Sequence, residues 1–134
     1  MRRRGGESGA TAVEFAMISP LLILMAAGIT GYGGYFWISH SVQQLANDSA
    51  RAAIAGLDSA ERASLAQQAV SSEQINYAGL DPSRIRVTEV DNATTLLVQV
   101  SYDASNSPFW ALQGLAPMPS TTVVRQASIR LGGY

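Results

Sequence analysis

Residues 15–39 form a run of 25 without one charged side chain. A helix rises about 1.5 Å per residue, so this run is long enough to cross a hydrocarbon core of ~30 Å. Any fold of the chain has to put this rod in lipid or cover it with other protein. Arg2, Arg3 and Arg4 precede it. Arginines beside a first apolar helix hold that end in the cytoplasm. Tyr32, Tyr35, Phe36 and Trp37 mark the other end as an aromatic belt at headgroup level. The expectation is a single-pass inner-membrane protein with a span of about residues 15–38. Its N-terminus is cytoplasmic and its C-terminal part periplasmic or otherwise extracytoplasmic. A cleaved secretory signal is the competing reading. Such a signal has an apolar core of ~7–15 residues and a small-residue cleavage site after it. The run exceeds that length, and an amphipathic helical pattern follows Trp37.

Within the run, Pro20 predicts a local bend, which membrane helices tolerate. Gly28, Gly31, Gly33 and Gly34 crowd its outer half. Ala27 with Gly31, and Thr30 with Gly34, form small-x-x-x-small pairs that let backbones approach closely. One reading is the ordinary glycine enrichment of membrane helices. The other is packing against copies or partners, which repays the helix-weakening glycines.

Beyond residue 39 the helix continues toward Ala55. Val42, Leu45, Ala46, Ser49, Ala52 and Ala53 recur at helical spacing. Gly56 reads as a C-terminal stop. Asp58 then opens a second helix, with Glu61 as its capping-box partner and Leu65, Ala69 and Val70 as its apolar face. Asp58 and Glu61 could also be taken for a catalytic pair, but capping accounts for them better. From Arg84 the period changes to two. Ile85, Val87 and Glu89 alternate with Arg86, Thr88 and Val90, and "TTLLVQVSY" reads as the partner strand of a hairpin over residues 84–102. "FWALQGL" suggests a helical turn or two, ended by Pro117 and Pro119. "STTVVRQASIRL" is a third strand candidate. Phe109 and Trp110 are assigned to the core of this outer unit, or alternatively to a loop resting on membrane or partner. The fold class is α+β. A long N-terminal transmembrane helix extends into a small extracytoplasmic domain with a second helix and an antiparallel sheet of about three strands. The divisions are a leader at 1–9, a helix at 10–56 and a domain at 57–134.

Composition removes several function classes. A net charge of −1 gives no general attraction to nucleic acid, and from Ala10 onward six arginines face nine acids. Zero cysteines exclude thiol catalysis and thiolate metal sites. His40 is the only histidine, so no histidine triad or multi-histidine metal site exists. No catalytic group, cofactor site or metal set is expected.

Glu14 remains to be explained. A charge at the bilayer centre costs ~2.5–3.5 kcal/mol on insertion scales, and such residues are functional suspects. Near the membrane edge the cost is lower, and the acid could simply reach the interface and favour the helix N-terminus. Its surroundings argue for more. Gly9-Ala10-Thr11-Ala12-Val13-Glu14-Phe15, after a basic leader and before the apolar run, resembles a class III prepilin signal. The wider stretch "GATAVEFAMISPLLILMAAGI", with "LANDSARAAIAG" and a hairpin ending near "VQVSY", is similar to TadE-like proteins (the TadE/TadF pseudopilins) of tight-adherence (Flp, type IV) pilus systems. The specific likeness lies in the first forty residues or so. The resemblance implies a minor pilin that a prepilin peptidase cuts between Gly9 and Ala10. It implies that Glu14, beside Phe15, pairs with the new Ala10 amine of a neighbouring subunit. The implied partners are that peptidase, other pilins, the assembly platform with its secretion ATPase, and membrane lipid. The role would be pilus biogenesis and cell adhesion. The alternative is a signal-anchored binding or sensory module whose likeness to a prepilin is incidental.

Overall fold

The computed structural model describes residues 7–92 and 94–132. The order of elements is α1 (Glu7–Ala53), α2 (Ser59–Glu73), β1 (Ile85–Asp91), β2 (Thr95–Asp103) and β3 (Thr122–Arg130), with short 3₁₀ turns between them. The strands form an antiparallel meander in the order β1-β2-β3. The α+β expectation of a long apolar helix, a second helix and three strands is met.

By their contacts the residues fall into two compact units. Of the described residues, one unit comprises 7–34 with Pro108–Met118, and the other 35–92, 94–107 and 119–132. The second unit holds the sheet. β2 is its central strand and reads as an alternation, with Leu96, Val98, Val100 and Tyr102 buried. Val98 lies opposite Glu89 of β1 and Ala127 of β3, so these residues share one face of the sheet. α1 supplies Val42, Leu45, Ala46, Ser49, Ala50 and Ala53 to the core, and α2 supplies Ala66 and Val70. The helical spacing read from the sequence thus recovers most of the α1 stripe. On α2, Ala66 replaces Leu65 as a buried position, because Leu65 stays half-exposed.

α1 crosses Pro20 without interruption. Proline cannot donate to the carbonyl four residues back. That carbonyl belongs to Ala16, and the Ser19 hydroxyl donates to it at 3.4 Å. The hydroxyls of Thr30, Ser41 and Ser49 likewise donate to the carbonyls of Ala26, Trp37 and Leu45.

Two local expectations change. α1 ends at Ala53, and Gly56 does not have a positive φ. The last turn closes instead through 3₁₀-type bonds from the amides of Ile54, Ala55 and Gly56. Gly56 is needed for close approach, since a Cβ there would lie 2.7 Å from the Arg62 amide nitrogen. The capping box at α2 is also shifted. Asp58 accepts from the Glu61 amide at 2.8 Å as expected, but the Glu61 carboxylate reaches back to Leu57 N–H, one residue before the cap. At this corner Arg62 donates to Asp91 at 2.7 Å and to the Gly56 carbonyl at 3.1 Å, with both charged side chains largely buried. It joins the α1–α2 corner to the end of β1.

Gly56→Ala is expected to destabilise the protein by about 1–3 kcal/mol, the usual cost of forcing a methyl into packed space. Gly114→Ala, where a Cβ meets nothing within 4 Å, should stay within about 0.5 kcal/mol of wild type. Denaturant unfolding of both variants decides the point, and equal stabilities would remove the close-approach role.

Candidate functional site

The first half of α1 is a bare apolar rod. Ten large apolar side chains between Val13 and Ile29 are exposed, from 47% at Leu24 to 79% at Met17. Full burial of one such side chain is worth ~1.5–3 kcal/mol, so leaving ten of them half-exposed in water costs on the order of 10 kcal/mol. That sum is comparable with the whole stability of a domain, roughly 5–15 kcal/mol. The rod therefore requires an apolar surrounding. By length and composition it can cross a membrane, and it fits a membrane anchor.

Gly9, Ala10, Glu14 and Phe15 occupy the first turns of this rod, and all four are exposed. Ala10 and Glu14 stand one turn apart on the same face. Among the described residues, no hydrogen bond or ion pair engages the Glu14 carboxylate within the chain. A Cβ at Gly9 would meet nothing within 4 Å. Arg2, Arg3 and Arg4, expected to set orientation, lie outside the described residues.

The small residues of the outer half divide between two faces. Ala27 and Gly31 are buried, and Gly34 is half-buried. What covers Gly31 and Gly34 is the chain's own residues 108–118. A Cβ at Gly31 would lie 3.4 Å from Met118 Sδ and 3.9 Å from Leu112, and one at Gly34 would lie 2.7 Å from the Phe109 ring. Tyr32 donates its hydroxyl to the Pro117 carbonyl. Gly28 and Gly33 have open space where a Cβ would be, and Thr30 is exposed. Phe109, assigned from the sequence to the sheet's core, instead packs on Gly34 of α1. Trp110 stands beside it with ring centroids 5.4 Å apart.

Phe109, Leu112, Pro117 and Met118 were not anticipated as neighbours of α1. A usable signal was present in the connection from β2 to β3, which runs from residue 104 to 121. Adjacent antiparallel strands are usually joined by 2–5 residues, and loops longer than about 12–15 are uncommon and often functional. This one is also uncharged throughout.

In the second unit, polar groups serve the fold. Arg84 pairs with Asp103 at 3.1 Å and donates to the Ser105 hydroxyl. The Ser105 amide and hydroxyl, followed by Arg84, hold the Asp103 carboxyl below the usual range. The Ser83 hydroxyl and amide do the same for Asp81. Tyr77 donates to Asp48 of α1 at 3.0 Å. Burial, then the bond and charge of Asp48, push its phenol up to about 12. Among the described residues there is no group of three or more histidine, cysteine or acidic side chains placed to hold a metal ion.

Residues 9–51 match the family model described as TadE-like protein. This is the family that the sequence resembles. The TadE-like segment runs from Gly9 almost to the end of α1, and takes in the bare rod, the glycines and most of the buried α1 stripe. It does not reach α2 or the sheet. No curated protein and no solved structure matches the chain.

The Tyr77 phenol gives a pH test. Its ionisation is raised from 10.0 to about 12 by burial and then by Asp48, so the stability that depends on a protonated phenol is fully present below pH 10 and is lost as pH rises through about 12. Alkaline titration of tyrosinate absorbance should show one late-ionising group that Tyr77→Phe abolishes. An unchanged titration in that variant would exclude the assignment.

Proposed function

We propose that the chain is a minor pilin of a tight-adherence (Flp) pilus, made as a precursor and cut after Gly9 by a prepilin peptidase. One observation carries the reading: the TadE-like match coincides with a helix that exposes nearly every side chain from residue 9 to 26. Such a rod suits lipid before assembly and neighbouring subunits afterwards. The 47-residue helix serves as the assembly element. The C-terminal part, on the extracytoplasmic side of the inner membrane, presents a surface for priming, capping or adhesion. The working partners are the peptidase, other pilins, and the assembly platform with its secretion ATPase. Gly28 and Gly33, which leave open space and stand about 140° apart around α1, are two separate places where another helix would approach.

Two local features support processing at Gly9. A glycine inside a helix costs up to ~1 kcal/mol relative to alanine, and nothing around Gly9 needs the space. A glycine with no packing role among the described residues suits one that an enzyme reads. Cleavage would create an α-amine of pKa ~8 at Ala10, at the start of an apolar helix. Glu14, one turn along the same face, can neutralise it within a chain, and in a filament can pair with a neighbour's amine. Breaking a buried pair of this kind costs ~3–5 kcal/mol.

Processing is tested by intact mass. In cells holding the cognate peptidase, the mature chain should begin at Ala10, and Gly9→Leu should retain the leader. A wild-type chain that keeps Met1 in those cells would favour a plain membrane-anchored module.

The acid is tested by counting surface pili while following cleavage separately. Glu14→Val should give a stable, membrane-inserted protein with lost or strongly reduced piliation. Glu14→Asp should fall between, because the charge stays but its reach shortens by a methylene. Normal piliation by the valine variant would reduce Glu14 to an interfacial residue without a role in assembly.

A further inference from the structure

We propose that residues 108–118 form a second membrane-contacting element, inserted among phospholipid chains at the aromatic end of the span. The inference rests on reading α1 as the membrane span, and adds to it an element that no part of the TadE-like match covers.

The depth follows from the helix itself. Gly31 and Gly34 lie 16 and 19 residues beyond Phe15, where the uncharged run begins. At about 1.5 Å per residue they stand roughly 24–29 Å along it, inside the last turns of a core of ~30 Å. Phe109, Leu112 and Met118 pack on those two glycines. Whatever depth α1 gives the glycines, the segment shares. A stretch held there in water would expose both itself and the rod.

The segment's chemistry suits that depth. It has no charged side chain, and Gln113 is its one polar side chain. Leu115 is 53% exposed, an apolar surface that the chain itself leaves uncovered. Backbone groups in lipid have to be satisfied internally. Here Pro108 and Pro117 bring no N–H. The amides of Gln113, Leu115 and Ala116 donate back to Trp110 and Leu112 carbonyls. The carbonyl of Pro117 accepts from Tyr32. Trp110 is a residue type that favours the membrane interface, with an apolar ring and a polar N–H. A second copy of the chain could also cover Leu115. Lipid is the better occupant because the same turns of α1 already lie in it.

The test uses the full chain in phosphatidylcholine vesicles whose acyl chains carry bromine at shallow or deep positions. Trp37→Phe leaves Trp110 as the sole tryptophan, and its helix content is first matched to wild type. A second protein carries Trp37→Phe, Trp110→Phe and Leu22→Trp, and reports the middle of the bare apolar stretch from Val13 to Ile29. We expect blue-shifted Trp110 emission, with more of it lost to shallow bromine than to deep bromine, and the opposite order at position 22. Deep quenching at 22 with unquenched Trp110 would keep the span and overturn the proposal. If Trp110 is then also shielded from aqueous quencher and cross-links between chains, a second copy covers the segment. No quenching at either position would overturn the span as well.

Discussion

The backbone hydrogen bonding of α1 is the constraint on which the rest of the structure depends. A rod that enters lipid has no water to satisfy its carbonyls and amides, so it has to be helical throughout. The chain meets this at its one weak point through Ser19, which donates to the carbonyl that Pro20 leaves empty. Thr30 and Ser41 turn their hydroxyls inward in the same way. Once the helix is unbroken, its surface can change character along its length without a change of backbone. Residues 9–26 expose almost everything, while Val42, Leu45, Ala46 and Ser49 are buried completely. A single element thereby supplies both an apolar rod that fits a membrane anchor and part of the core of a sheet unit.

Alanine and serine in the second half of α1 have a consequence for packing. Ala46, Ser49, Ala50 and Ala53 are fully buried, so neighbouring elements can come near the α1 backbone. The loss of hydrophobic area relative to leucines is offset elsewhere. Leu96, Val98, Val100 and Val123 fill the sheet side of the core. Tyr102 adds a hydroxyl that accepts from the Asp81 amide. The edge of β3 is engaged by Gln43, which donates to the Gln126 carbonyl at 3.1 Å. Arg62 and Asp91 form a nearly enclosed pair, and breaking a pair of this kind by removing one partner is destabilising. These features concern the stability of the second unit, and none supplies a reactive group.

Much of this was legible in the sequence because it depends on period. Uncharged length marks the rod, spacing of three and four marks the α1 stripe, and alternation marks β1 and β2. These signals are local, and the structure follows them. Contacts between residues far apart in the chain were not legible in the same way. Nothing near Gly56 announces that Arg62 will approach it, so by sequence the glycine reads as a conformational stop, whereas close approach is what it provides. Phe109 and Trp110 were assigned to a core by their size. Composition cannot say which apolar surface a large side chain meets, and here Phe109 meets a helix more than seventy residues earlier in the chain.

The glycines of the span illustrate the same limit from the other side. Their spacing indicates a face fit for close approach, and close approach is what Gly31 and Gly34 permit. The spacing cannot say whether the approaching group belongs to another molecule. In this chain the face at Gly31 and Gly34 is taken by residues 108–118, so those two positions are already occupied in a single copy. Gly28 and Gly33 stay open, on different flanks of that covered face. Each glycine weakens the helix by up to ~1 kcal/mol relative to alanine. Contact within the chain offsets that cost at two of the four positions. At Gly28 and Gly33 no contact among the described residues offsets it, which leaves the ordinary glycine enrichment of membrane helices and packing against another helix as the two readings.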